Sequence, residues 1–231
     1  MNMPIALSYS RLSDYEQCPL KFKQKYIDKS YPDDSDNPAF VKGNQIHKQL
    51  EDYVVWKGAD DGAKPTLSTH TLKASQLVDS LHTACNGRIF PEKQIAVDHN
   101  WELCDWFDKP DVVKYRAIID CLVFFGNTEI LAIDWKSGKV REYEDSPTSQ
   151  LRLTSTILFN LYPKVQTITT AYVFVEHTKT VKVKFERPEL EALQKPFDKA
   201  YIQVQEETEW KPKKNQWCNW CKTPDCPIKR K

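Results

Sequence analysis

Lys114–Val140 reads KYRAIIDCLVFFGNTEILAIDWKSGKV, two runs rich in β-branched and aromatic residues joined by a turn built on Gly126-Asn127. The pattern predicts a β-hairpin. Three charged residues interrupt the apolar runs: Asp120 in the first, Asp134 and Lys136 in the second. Desolvating charge in such a setting is costly unless something compensates it, and a bound cation is the compensation this arrangement points to. Strand side chains alternate with period two, so Asp134 and Lys136 share one face while Ile133 and Trp135 take the other. The face of Asp120 depends on the turn. A two-residue loop opposes Asp120 to Ile133 and sends the two aspartates to opposite sides; a three-residue loop through Thr128 opposes Asp120 to Asp134. In the second register the two Cβ atoms stand about 5 Å apart, near enough for both carboxylates to ligate one Mg²⁺ or Mn²⁺, with Lys136 beside it.

Upstream of the hairpin, Leu7–Ile27 has Ser8 or Ser10 as a helix cap and Leu12, Tyr15, Phe22 and Tyr26 at helical spacing. Cys18-Pro19 breaks it, because proline lacks the amide hydrogen a helix interior needs, and the break presents the Cys18 thiol at a helix end. Tyr31–Pro38, YPDDSDNP, is an exposed loop. The helix expected over Ala39–Lys57 carries His47 and Glu51 four residues apart, on one face. After a breaker-rich loop, a helix follows over Leu72–Ala84, for packing or for lining a cleft. Strands are expected between Ile89 and Phe107 around a turn at His99-Asn100, with Glu92 just ahead of them. Downstream, the polar REYEDSPTS leads into an amphipathic helix over Ser149–Tyr162 opened by Gln150. A second hairpin, Thr167–Glu176 with Val181–Glu186, widens the sheet, and a long helix over Pro188–Glu207 has Pro196 as a point of kinking.

A chain of 231 residues with 40% hydrophobic and 12% aromatic content can bury one large core, which argues against disorder. The formal net charge is only +1, so a nucleic-acid surface has to be a local patch. No apolar run is long enough for a membrane span, and MNMPIALSYSRL lacks the features of a signal peptide. A cytoplasmic protein without a membrane partner is the expectation. Its seven cysteines then point to metal ligation or burial before disulfides. Cys218, Cys221 and Cys226 form C-x₂-C-x₄-C and need a fourth ligand for a tetrahedral sulfur site, zinc or iron–sulfur. Cys18 is the candidate, although it lies at the other end of the chain. Cys85, Cys104 and Cys121 have no spacing partner and are expected to be buried thiols. Around the late cysteines, Lys211, Lys213, Lys214, Trp217, Trp220, Lys222 and Lys229-Arg230-Lys231 form a basic, aromatic stretch suited to single strands.

Asp120, followed after the hairpin by Asp134-Trp135-Lys136, resembles the D…(D/E)-x-K signature of the PD-(D/E)XK nuclease superfamily. Upstream, Gly43-x-x-x-His47-x-x-Leu50-Glu51 resembles its RecB-type branch. One early and three late cysteines bracketing the core resemble the iron–sulfur nuclease domains of AddB and the Cas-four-type CRISPR-adaptation nucleases. The resemblance implies an α/β, restriction-endonuclease-like fold, a mixed central β-sheet flanked by helices, with the two termini clasped by a four-cysteine metal site. It implies one nuclease domain over residues 1–231, with a core at about 39–207 and a clasp formed by 1–30 and 208–231. His47, Asp120 and Asp134 are the implied ligands of Mg²⁺ or Mn²⁺, joined by the Trp135 carbonyl, with Glu92 in support. Lys136 and Gln150 complete the catalytic set. Two positions depart from the pattern: Thr154 stands where Q-x-x-x-Y has its tyrosine, and Ala117 replaces a glycine before the hairpin aspartate. Cys18, Cys218, Cys221 and Cys226 are implied to hold a 4Fe–4S cluster, with zinc as the alternative. The implied activity is metal-dependent exonucleolytic hydrolysis of DNA, at duplex ends or in single strands. Its setting is recombination, repair or CRISPR adaptation, with a protein partner of that kind and a phage or cellular host. The competing expectation is a non-catalytic DNA-end-binding or recombination-partner module.

Overall fold

The computed structural model describes residues 4–32, 35–59, 62–140 and 146–228. The polar residues 141–145, expected from sequence to form a loop, and the basic run Lys229-Arg230-Lys231 lie outside them. The hairpin forms as β3 (Val113–Phe125) and β4 (Glu129–Lys136). Phe125 pairs with Glu129 and Cys121 with Ile133, so the loop is the three-residue Gly126-Asn127-Thr128. Gly126 takes φ 61° there, which glycine adopts without a Cβ clash.

Six strands make one mixed sheet in the order β2-β1-β3-β4-β5-β6, with β1 at Ile89–Asp98, β2 at Leu103–Cys104, β5 at Thr167–Phe174 and β6 at Lys179–Glu186. β4 and β5 are parallel and all other neighbours antiparallel. A parallel pair needs a crossover, and α5 (Gln150–Leu161) supplies it.

Helices cover both faces. On one, α3 (Pro38–Gly58) and α4 (Thr69–Ala84) bury Ile46, Leu50, Val54 and Val78 against Cys121, Val123, Ile133 and Trp135. On the other, α1 (Tyr9–Gln17), α5 and α6 (Leu190–Glu206) bury Leu12, Ile157 and Phe197 against Tyr115, Ile119, Leu122 and Ala132. Ser8 caps α1 by accepting from Arg11 N at 3.3 Å. The chain breaks at Cys18 as its sequence predicts, and Pro19 opens the short α2 (Pro19–Phe22), a position where its missing amide hydrogen is not needed. A π-helical turn at Lys23–Ile27 follows. α6 is preceded by a 3₁₀ turn at Arg187–Glu189 and runs on through Pro196 as one helix. None of the described helices is long and apolar enough to cross a membrane.

β1 and β3 do not keep a single alternation. Tyr115 and Ile119 belong to the α1/α5/α6 core, yet Cys121 and Val123, of the same parity, belong to the α3/α4 core. β1 does the same, with Ile95 and Val97 in the first core and Ile89 in the second. The change of side falls at one level: Pro91 pairs with Cys121 and Lys93 with Ile119, while Glu92 and Asp120 between them are skipped. Glu92 has φ 41°, outside the strand region. Each strand therefore carries one residue out of the alternation, and the two irregularities face each other. Glu92 lies within β1 and not ahead of it, which corrects the expectation from sequence.

A second irregularity opens the sheet. Continued by one residue, the β3–β4 register would oppose Asp120 to Asp134, but the ladder stops at Cys121–Ile133. β3 continues beside β1 while β4 continues beside β5, so the two strands part. Lower down, Leu7 takes the vacated edge of β3, donating to Lys114 O at 2.9 Å and accepting from Arg116 N at 2.7 Å.

Candidate active site

Where β3 and β4 part, a backbone amide loses its strand partner and a side chain replaces it. Trp135 N–H donates to Asp120 Oδ2 at 2.7 Å. Asp120 is held in place by this bond, with its side chain 9% exposed and the same oxygen 3.4 Å from His47 Nδ1. His47 arrives from α3, which sits close to the end of β4 because a Cβ on Gly43, one turn earlier, would stand only 3.2 Å from Ser137 Oγ. Burial alone would lower the His47 pKa, but Asp120, Asp134 and the Trp135 backbone together raise it above the ordinary value. The positive charge favoured on this ring answers the negative charge gathered around it.

Glu92 completes the group. Its pKa is raised by burial and then by the neighbouring Asp120 carboxylate. One ligand atom from each of His47, Glu92 and Asp120 lies within 4.8 Å of the others, the single such group among the described residues. Glu92 and Asp120, at the level where β1 and β3 change sides, both bring a carboxylate to His47 of α3.

Asp134 is near this group but tied elsewhere. Its Oδ1 accepts from Gln150 Nε2 at 2.5 Å, and its Oδ2 lies 2.6 Å from Lys136 Nζ. Oδ2 is buried, and Lys136 is its partner there. Lys136 also donates to Gln150 Oε1 at 3.1 Å. Burial pushes the Asp134 pKa up to about 6, with Asp120 adding to the shift and Lys136 opposing it. Asp134 and Lys136 thus share a face, as alternation predicts, and Gln150 clamps both from the first turn of α5. Trp135 buries its ring in the α3/α4 core. One neighbour was not legible in sequence: Tyr172 of β5 pairs with Asp134, and its ring centroid is 4.8 Å from Lys136 Nζ. Only the parallel register brings it there.

Cys18, Cys218, Cys221 and Cys226 line one cavity of about 200 Å³ with Trp217 and Trp220. Lys213 N donates to Cys18 Sγ at 3.4 Å and Asn215 N to Cys218 Sγ at 3.3 Å. The carboxy-terminal segment is fastened to the amino-terminal helices by Asn215 Nδ2 to Gln17 O at 2.9 Å and Gln24 Nε2 to Pro224 O at 3.0 Å. No three cysteine sulfurs among the described residues lie within 4.8 Å of one another. Cys85 and Cys121 are buried and Cys104 half-buried.

Fold and site together define a class: an α/β protein whose carboxylates, histidine and lysine meet where two strands part, a donor set suited to a hard divalent cation. Residues 6–226 match the model of the PD-(D/E)XK nuclease superfamily, and the chain belongs to that superfamily. No curated protein matches it. Among solved structures, one described as "Crystal structure of SSO0001" is 14% identical, with 100% of this chain and 90% of that one covered and a TM-score of 0.49.

Proposed function

We propose that the chain is a divalent-metal-dependent deoxyribonuclease of the RecB-type branch, degrading DNA from duplex ends or along single strands in the cytoplasm. One observation carries the reading: His47, Glu92 and Asp120 bring ligand atoms within 4.8 Å of one another, and the buried Asp134 carboxylate beside them is ion-paired with Lys136 at 2.6 Å. Such crowding of acidic groups fits a cation. His47, Asp120 and Asp134 would hold Mg²⁺ or Mn²⁺, with Glu92 and the Trp135 carbonyl completing the shell. When bound, the ion supplies Lewis-acid polarisation of the scissile phosphate and a lowered pKa for the attacking water. Lys136 supplies a cation for the charge that builds on the phosphate. Gln150 orients Asp134 and Lys136 together, donating to one and accepting from the other. Asp120 keeps β4 registered through Trp135 N with the same oxygen that faces His47.

In the same reading, Cys18, Cys218, Cys221 and Cys226 hold a 4Fe–4S cluster, with zinc the alternative. The four line one cavity. The preference for an iron–sulfur cluster comes from the resemblance, and the two N–H···S bonds are of the kind that tune such centres. Its role is structural, since four thiolates leave no open position for substrate.

Roles in recombination, repair or CRISPR adaptation, and a protein partner from those processes, belong to this proposal through the RecB-type resemblance. Degradation of end-labelled single- and double-stranded DNA, with and without EDTA, tests it. Loss of activity in EDTA and in Asp134→Ala supports the reading. Full activity in Asp134→Ala sinks it, and DNA binding with no cleavage in any metal points to the non-catalytic module, which Thr154 and Ala117 leave open.

A further inference from the structure

The parting of β3 and β4 leaves more than a metal site. Between Leu7 and Cys121, the edge of β3 that faces β4 has no strand partner among the described residues, and a groove of about 650 Å³ runs along it. α1 and its leading segment form one wall, α5 the other, and Ala117 and Ile118 the floor; the inner end reaches Lys136 and Gln150. Its size is that of a pocket for a small molecule.

Charge and shape agree on the occupant. Arg11, Arg116 and Lys136 line the groove, and no lining residue is acidic. Arg11 donates to Ala6 O at 2.6 Å, and Arg116 to Trp106 O at 2.9 Å and Asp108 O at 2.8 Å. Both guanidinium groups are thereby oriented by neutral carbonyls, and no carboxylate in the groove neutralises them. Burial holds Arg11 below its ordinary pKa, opposed by Tyr26, with the charge of Arg116 a lesser contribution in the same direction. Two guanidinium groups in one groove without acidic lining favour an anion there. Tyr9 and Trp106 add half-buried ring surface to the same walls. Phosphate-directed cations interleaved with aromatic rings suit unpaired nucleic acid, whose bases have free faces to stack.

We infer that this groove carries the substrate as a single unpaired strand, with its phosphates on Arg11 and Arg116 and its bases on Tyr9 and Trp106, and delivers it to Lys136. The chemistry at Lys136 rests on the nuclease reading; binding in the groove does not. Ser10 also lines the groove, is exposed, and is the second residue of α1. A carboxylate there complements the helix dipole, so Ser10→Glu keeps the fold while repelling a phosphate.

The test is fluorescence anisotropy of a labelled oligothymidylate and of a blunt hairpin duplex, in EDTA, with the full-length wild type, Ser10→Glu and Trp106→Ala, alongside thermal melting. Each variant should bind the oligothymidylate about tenfold more weakly or worse, with an unchanged melting temperature for Ser10→Glu and a shallower salt dependence. The duplex should bind more weakly than the single strand in the wild type. Unchanged oligothymidylate affinity in both variants, or equal losses for duplex and single strand, overturns the inference. DNA degradation unaffected by either variant would leave the nuclease reading standing and the groove refuted. Selective loss of binding in a wild type that cuts nothing would do the reverse.

Discussion

The carboxylate group and the cysteine-lined cavity are held together in opposite ways. The first is built inside the sheet: Asp120 is pinned by Trp135 N–H, Asp134 by Gln150, and His47 by a helix packed through Gly43. Its geometry is fixed before any ion arrives, and its cost is crowded negative charge. The second is built from turns that follow Trp210, fastened to α1 and α2 by a handful of hydrogen bonds. Regular structure does not fix it; in the proposed reading, a bound metal centre would. A preorganised site should lose function and keep its fold when a residue is removed, whereas a ligand-ordered clasp should lose its fold.

The largest effect is expected at the clasp. Closing a loop of nearly the whole chain, from Cys18 to Cys226, is worth about 5 kcal/mol by analogy with disulfide closure. Cys221→Ser should bleach the broad visible absorption of anaerobically purified protein and lower its denaturant midpoint sharply. Cys85→Ser and Cys121→Ser should leave the colour unchanged. A colourless wild type containing one equivalent of zinc would keep the clasp but remove the iron.

Next comes the sheet-borne site. Asp120→Ala, Asp134→Ala and Lys136→Ala should each slow DNA degradation by about 10²–10³-fold. The melting temperature of Asp134→Ala should hold or rise, because that substitution removes a buried carboxylate whose pKa is already pushed up to about 6. A collapse in stability matching that of the clasp variants would erase the contrast between the two regions.

A smaller effect belongs to the helices beneath the clasp. Asp14 is buried and accepts from Lys21 at 2.6 Å, Lys25 at 2.8 Å and the Tyr26 hydroxyl at 2.7 Å. Burial alone would raise its pKa, but these hydrogen bonds hold it below the ordinary value. A depressed carboxylate pKa stabilises the fold above the unfolded value of about 3.9, and this contribution is lost as pH falls through the lower folded value. Asp14→Asn should therefore cost about 1–3 kcal/mol near neutrality. The gap in melting temperature between wild type and variant should close in acid; a gap that stays constant would assign the loss to packing.

The smallest effect separates the members of the metal group. Glu92→Gln should weaken Mn²⁺ binding by about tenfold, read by electron paramagnetic resonance of free Mn²⁺ in a titration. No change would reduce the group to His47, Asp120 and Asp134.

Local rules settle everything within a few residues, and the sequence carries these directly. Period-two alternation puts Asp134 beside Lys136, Ser8 marks the start of α1, and Cys18-Pro19 marks its end, because each depends on backbone geometry and hydrogen-bonding capacity confined to one turn or one strand. The hairpin loop was narrowed to two registers, and pairing across β3 and β4 chose the three-residue one. Tertiary structure alone decided the rest. Alternation predicts that Asp120 and Asp134 share a face, but the paired irregularities at Glu92 and Asp120 turn Asp120 toward His47, while Asp134 turns to Gln150 on α5. Those shifts arise because β1 and β3 must serve two helical layers at once, Ile95 and Val97 packing on one and Ile89 on the other. The proximity of Cys18 to Cys226, like that of Tyr172 to Lys136, is set by how distant segments stack on the finished sheet.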